Sequence, residues 1–281
     1  MTSPFQDVLS KAERIELDTQ GVRQVWHVWH RSASQHPPLV LLHGGSGSWM
    51  HWARNVEALS EDRAVWAIDL PGFGDSELPP DVRDVDGVFP YVEAGMAQLF
   101  GDRQIDLMGF SFGGMTAGFL AAHVPQRVQR LLLIGIPALG LFGESRPMRG
   151  LRADMTESER AEVFRHNLLQ LMLLHPESVT DEAIAMQAVN VARDRLRRRR
   201  IARGDALLNL QQRWTCPVYT FWGEHDVLYP GRLDEVRHAL GGCRLMSFEV
   251  ISDAGHWVMF ERAAAFNQRA LATLRLPLPT V

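Results

Sequence analysis

Six short apolar runs without polar alternation constrain this chain most strongly: LVLLHG at 39–44, AVWAIDLPG at 64–72, IDLMGF at 105–110, VQRLLLIG at 128–135, VYTFWG at 218–223 and RLMSFEVI at 244–251. A strand with one solvated face alternates apolar and polar residues, so unbroken runs of this length describe strands covered on both faces. Helix-like stretches near 49–60, 87–101, 112–124, 232–240 and 259–274 separate most of them. Strand and helix in alternation predict an α/β fold, a mostly parallel sheet with helices on both sides. Upstream, RIELD, the Gln20–Gly21 pair and VRQVWHVWHR predict an antiparallel hairpin at a sheet edge.

One interval breaks the rhythm. Between Pro137 and Pro217 no strand-like run occurs, and Leu, Met, Arg and Glu dominate, with helices expected around 156–174, 180–200 and 203–213. The expected organisation is a core in two parts, residues 1–137 and 214–281, interrupted by a helical cap at 138–213 that sits over the strand ends. A chain of 281 residues, 46% apolar, can bury a core of that size.

The formal net charge of −4 and the absence of a chain-wide basic stripe argue against nucleic acid or an anionic membrane as partner. No run approaches the roughly 18 apolar residues of a membrane span, and the first twenty residues lack a basic stretch followed by an apolar one. The expectation is a soluble, cytoplasmic protein that handles a small-molecule substrate without a cofactor. Cys216 and Cys243 are expected as buried thiols rather than a disulfide. The stretch VFRHNLLQLMLL at 163–174 is expected as cap packing, with a pocket wall or a homo-oligomer contact left open.

In open parallel sheets ligands bind beyond the carboxyl ends of the strands, which makes the residues after each apolar run the ones to inspect. Gly109-Phe110-Ser111-Phe112-Gly113 fits the G-x-S-x-G pattern of a strained strand-to-helix turn, with a strand before it and MTAGFLAAHV after it. A serine hydroxyl needs a base to become a nucleophile. Of eleven histidines, His256 in SDAGHWVMFE follows a buried strand on a glycine-containing loop that opens a helix. His27 and His30 fall on the hairpin and His123, His166, His175 and His238 in or beside helices, with no metal-ligand spacing among them. The imidazole needs an acceptor in turn: Asp226 in FWGEHDVL is expected to reach it, ahead of its neighbour Glu224. The glycine-rich HGGSGS at 43–48 is expected to supply one oxyanion donor, the Gly45 N–H, and Phe112 the other. A phosphate loop is the rival for this segment, but no G-K-[ST] completes one.

HGGSGS, DLPGFGDS at 69–76, GFSFGG, WGEHD and DAGHW occur in the order and spacing of the α/β-hydrolase fold superfamily, and the resemblance covers nearly the whole chain. It implies an eight-stranded sheet with a helical cap and a Ser111, His256, Asp226 triad. The sequence is also similar to the branch of meta-cleavage-product hydrolases, which break carbon–carbon bonds, through HGGSGS and Trp257 after the histidine. It departs from that branch at Phe110, where asparagine is frequent.

The expected pocket is lined by Gly44, Ser46, Trp49, Phe110, Leu139, Phe142, Leu228 and Trp257, a mainly apolar set that suits a carboxylic ester. RDRLRRRR at 193–200, with Arg203, is expected as the solvated face of a basic helix, and one arginine turned inward would instead clamp a carboxylate. The function expected is ester hydrolysis through an acyl-enzyme. Carbon–carbon hydrolysis is the near alternative, and a non-catalytic ligand receptor on the same scaffold the distant one.

Overall fold

Each apolar run is a strand in the computed structural model, which describes residues 5–33, 35–141, 146–197 and 199–278. The strands are β1 (Glu13–Thr19), β2 (Val22–Trp29), β3 (Leu39–Leu42), β4 (Val65–Asp69), β5 (Ile105–Phe110), β6 (Val128–Ile134), β7 (Val218–Gly223) and β8 (Leu245–Ile251). They form one sheet in the order β1-β2-β4-β3-β5-β6-β7-β8. β2 runs antiparallel to both β1 and β4, and all other neighbours are parallel.

The chain steps outward from β3 to β4, then returns to place β5 on the other side of β3. This reversal opens a crevice above the carboxyl ends of β3 and β5, where Leu42 stands opposite Gly109. Strands β3 to β7 are buried on both sides, as the runs predict, whereas β8, at the sheet edge, is only partly buried and leaves Met246 exposed. Residues of the helices Val85–Phe100 and Phe112–His123 share one apolar cluster with one face, and those of Val56–Leu59 and Ala263–Arg275 share another with the opposite face.

The β1–β2 hairpin lies at one edge of the sheet as expected, with β1 outermost. β2 is buried almost throughout, because β4 covers its other edge and Trp49 packs on His27 and Trp29 with ring centroids 5.4 and 5.6 Å away. The helix expected over 180–200 is Asp181–Ala192, and the described arginines of the 193–200 run are not helical. They run over the 72–76 turn: the Arg195 N–H donates to Gly72 O (2.9 Å) and its guanidinium to Gly74 O (3.0 Å), while Arg193 pairs with Asp75 at 2.6 Å. Adjacent arginines cannot share one helical face, and in the extended path Arg193, Arg195, Arg197 and Arg199 each have a partner of their own.

The other described helices between β6 and β7 are Glu157–Leu171, closed at its start by a Thr156–Glu159 capping box, and the short Ala206–Leu210. No helix among the described residues is long and apolar enough to cross a membrane. Cys216 and Cys243 are free thiols.

At the amino end of the parallel strands, Asp106 is fully buried between Arg63 (2.9 Å) and Arg130 (3.3 Å). Removing the carboxylate would leave two buried guanidinium groups without their shared counter-charge. Asp106→Ala should therefore cost about 3–5 kcal/mol in urea unfolding while leaving the chemistry at the opposite end of the sheet intact. A loss below about 1 kcal/mol would show the cluster to be incidental.

Candidate active site

Three strand ends deliver the site. β5 runs directly into Ser111, whose φ of 52° and ψ of −114° force an abrupt turn before the helix Phe112–His123 begins. The Ser111 N–H donates to Ile134 O (2.8 Å) on β6, and its carbonyl accepts from Met115 (2.9 Å), so the strained residue is tied at both ends. The turn is possible because the helix lies directly against β3: a Cβ on Gly113 would stand 2.3 Å from Leu42 O.

His256 follows β8 and Asp226 follows β7. The imidazole Nε2 lies 3.0 Å from Ser111 Oγ, and Nδ1 lies 2.9 and 3.0 Å from the two oxygens of Asp226. Both His256 and Asp226 are buried. Asp226 Oδ1 also accepts from the Leu228 N–H (2.9 Å), which leaves its carboxylate turned toward the histidine. Gly135, at φ 52°, lies against the ring, where any Cβ would come within 2.9 Å of its Cε1. The rival carboxylate Glu224 points outward and accepts from the Asp253 N–H at 3.0 Å.

The loop after β3 is held by two imidazoles. His43 Nε2 accepts from Leu70 N–H (2.9 Å), so its proton is on Nδ1 and is donated to Gly44 O at 2.7 Å. The Gly44 N–H in turn donates to His51 Nδ1 at 3.3 Å. The Gly44 peptide is thus fixed at both its donor and its acceptor, beside Ser111, and Gly45 follows it. This brace requires neutral rings. Burial pushes the His43 pKa down to about 4 and that of His51 well below the ordinary histidine value. Asp69, at the end of β4, accepts from the Trp49 N–H (2.8 Å) and the Asp75 N–H (2.9 Å) and has its pKa pushed up to about 6 by burial.

A cavity of about 480 Å³ lies over Ser111 and is lined by Gly45, Ser46, Phe110, Phe112, Leu228 and His256 from the strand-end loops. Asn167, Leu171, Met172, Gln187, Val191, Arg199 and Arg203 line it from the segment between β6 and β7. Gly44 adjoins Ser111: a Cβ on it would lie 3.4 Å from Ser111 Cβ. Three expected lining residues lie elsewhere. Trp49 is packed on β2, Leu139 is in the core, and Trp257 stacks on Phe260 with ring centroids 4.1 Å apart and donates to His51 O at 3.3 Å. Phe142 falls outside the described residues.

The expectation of a solvated arginine run fails at Arg199. Its guanidinium lies over Gly45, where a Cβ would be 3.3 Å from Cζ, and stands 5.2 and 5.5 Å from the Phe73 and Phe112 rings. Asp194, itself buried, holds Arg199 at 3.3 Å and accepts from Ser46 Oγ at 2.5 Å. Asp84 accepts from the Arg200 and Ile201 N–H groups and so anchors the backbone just past Arg199. The arginine run by itself does not mark which of its members turns inward.

A parallel sheet with this strand order, a serine at a strained turn and a hydrogen-bonded histidine and aspartate define the class of α/β hydrolases. The chain belongs to that family: the family model described as alpha/beta hydrolase fold matches residues 37–263. It is 32% identical over 249 residues to a dihydrolipoyllysine-residue acetyltransferase component of an acetoin cleaving system from Pseudomonas putida, covering 85% of this chain and 63% of that protein. It is 28% identical to a 2-hydroxy-6-oxononadienedioate/2-hydroxy-6-oxononatrienedioate hydrolase from a Pseudomonas species, over 83% of this chain and 86% of the relative. A carboxylesterase structure from Bacillus subtilis superposes with a TM-score of 0.75 at 19% identity, covering 97% and 96% of the two chains, a likeness of fold.

The buried histidines set an acid limit on stability. His27 and His43, each with a folded-state pKa of about 4, stay neutral while unfolded histidines protonate near 6.5, so stability falls as pH drops below 6.5. Each should cost about 2 kcal/mol between pH 7.5 and 5, with about 1 kcal/mol recovered as Asp69 takes up its proton below about 6. With His51 held below the ordinary value as well, urea unfolding at the two pH values should show a net loss of at least roughly 3 kcal/mol. An unchanged midpoint would mean that these rings are not held neutral.

Proposed function

We propose that this chain is a serine hydrolase that cleaves a carboxylic ester of a small acyl substrate bearing a negative charge, with residues 138–213 acting as its cap. The observation that carries the reading is the pair of contacts on His256: 3.0 Å to Ser111 Oγ on one nitrogen and 2.9 Å to Asp226 on the other. With Asp226 accepting at Nδ1, the Nε2 lone pair faces the hydroxyl and can take its proton as Oγ attacks the acyl carbon. The imidazolium then returns that proton to the departing alkoxide, and water repeats the sequence on the acyl-enzyme.

The N–H groups of Gly45 and Phe112 are assigned to the oxyanion. Phe112 opens a helix, whose amino end favours negative charge, and the Gly45 peptide follows the one braced by His43 and His51. Arg199 supplies the substrate preference. Its two hydrogen bonds, to Asp194 and Ser46, engage two of the five guanidinium donors, and the group lies on the cavity wall next to both oxyanion residues.

Carbon–carbon hydrolysis is the second reading, favoured by one observation in particular. A carbon leaving group needs a conjugated carbonyl and a clamp for the attached carboxylate, and Arg199 with Asn167 and Gln187 makes the cavity more polar than an apolar ester site requires. The relative from Pseudomonas sp. named as a 2-hydroxy-6-oxononadienedioate hydrolase supports it. Phe110, whose ring is 4.9 Å from that of His256, favours the ester, because no side-chain amide stands beside the histidine at that position.

A fluorophosphonate probe should label the wild type and fail on Ser111→Ala; labelling of both would remove Ser111 from the nucleophile role. Arg199→Gln should lower kcat/KM about 10-fold or more for p-nitrophenyl hemisuccinate and less than about 3-fold for p-nitrophenyl acetate, since a hydrogen bond to a charged group contributes about 1.5–3 kcal/mol. Equal losses on the two esters would remove the preference for an anion. Faster turnover of a 2-hydroxy-6-oxo-dienoate than of either ester would select the second reading.

A further inference from the structure

The loop that carries His256 is held from above as well as from the sheet. Glu261 closes the short helix Val258–Glu261 directly after the histidine, and its carboxylate is buried. No cation pairs with it among the described residues. Instead, Oε2 accepts from the Gly255 N–H (2.7 Å), Oε1 accepts from the His175 N–H (2.9 Å), and both oxygens lie within reach of the Leu174 N–H (2.9 and 3.1 Å). One carboxylate therefore joins the residue before His256 to the segment that follows the helix Glu157–Leu171. Trp257, the residue after His256, donates its N–H to Met172 O at 2.7 Å in the same segment. A Cβ on Gly255 would come within 2.8 Å of Leu174 N, so the two backbones are in direct contact.

Met172 lines the cavity over Ser111. The segment that forms part of the cavity wall is thus the same one that fixes the backbone on both sides of the histidine. A buried carboxylate without a counter-charge is costly unless its lone pairs are filled, and three backbone N–H groups from two parts of the chain fill them only when the two parts are docked.

We propose that Glu261 is a positioning residue: it couples the docking of the 172–175 segment to the placement of the His256 imidazole between Ser111 and Asp226. The proposal rests on the reading of those three residues as the catalytic set. Glu261 touches no reacting atom. It acts through the backbone at Gly255, and a shift of the order of 1 Å there would move Nε2 out of line with Oγ, a displacement that can reduce a rate about 100-fold.

The test is Glu261→Gln, which keeps the shape and turns an NH2 toward backbone donors. Turnover of p-nitrophenyl acetate is measured per site titrated with the fluorophosphonate, so that misfolded protein does not count. The expected result is a fall in kcat of about 10- to 100-fold with KM within about 2-fold of wild type. The NMR signal of the proton shared by His256 and Asp226 should broaden in the same variant. Where Glu261→Gln fails to fold, Glu261→Asp carries the comparison, since its shorter side chain cannot span both segments. A folded variant with wild-type kcat per titrated site overturns the coupling, as does a loss confined to KM. Wild-type protein that the probe does not label overturns the catalytic reading itself, which keeps the two failures apart.

Discussion

The contact between the helix that follows Ser111 and the end of β3 is the constraint on which the site depends. A Cβ at Gly113 would lie 2.3 Å from Leu42 O, so the helix can start there only without a side chain, and only then does Ser111 take up its strained turn with Oγ turned toward His256. The same proximity sets the HGGSGS loop beside the serine, because Leu42 and Gly109 are paired neighbours at the strand-order reversal. Ser111 and the Gly44–Gly45 loop are therefore set side by side by one packing event at the crevice, and Asp226 and His256 are added at the ends of β7 and β8.

Around that event the protein separates charged from neutral polar groups. Near the Gly44–Gly45 loop it uses histidines whose burial keeps them uncharged, and their hydrogen bonds fix a peptide without adding positive charge beneath it. Positive charge comes from above, through Arg199 and Arg203 on the segment between β6 and β7, and Asp194 holds and orients the Arg199 guanidinium. Buried ions cost free energy unless paired. The arrangement places guanidinium donors on the wall of the cavity that Ser111 and His256 share.

How much of this was legible follows from which forces leave a local trace. The strands read cleanly because burial on both faces removes polar residues from short windows, and the Ser111 turn reads because only glycine tolerates its close backbone approach. The preference for Asp226 over Glu224 followed from reach past the strand end, and Glu224 does turn away to the Asp253 backbone. Trp49 and Trp257 misled because an aromatic next to a motif is as easily a core residue as a lining one, and both are packed against neighbours distant in sequence, Trp29 and His51 respectively. Arg199 and Glu261 left no local pattern at all: their partners lie at Asp194 and Ser46, and at Leu174, His175 and Gly255, so their roles appear only once the chain is folded.

The positions that sequence reasoning missed share one property, which bears on how such a scaffold changes its chemistry. Ser111, Asp226 and His256 are each fixed by the sheet end they follow, whereas Arg199, Asn167 and Gln187 reach the cavity from the segment between β6 and β7, whose path is set by scattered contacts such as Asp84 to the Arg200 backbone. Changing that segment would alter the charge and shape presented to the substrate without moving the strand ends. It cannot, however, move freely: Glu261 and the Trp257 N–H bind it to the histidine loop, so a change in the segment that undocks residues 172–175 would disturb the base as well. On the proposed reading, specificity can vary at the helix faces that line the cavity, while the stretch from Met172 to His175 is held to one seat by the chemistry below it.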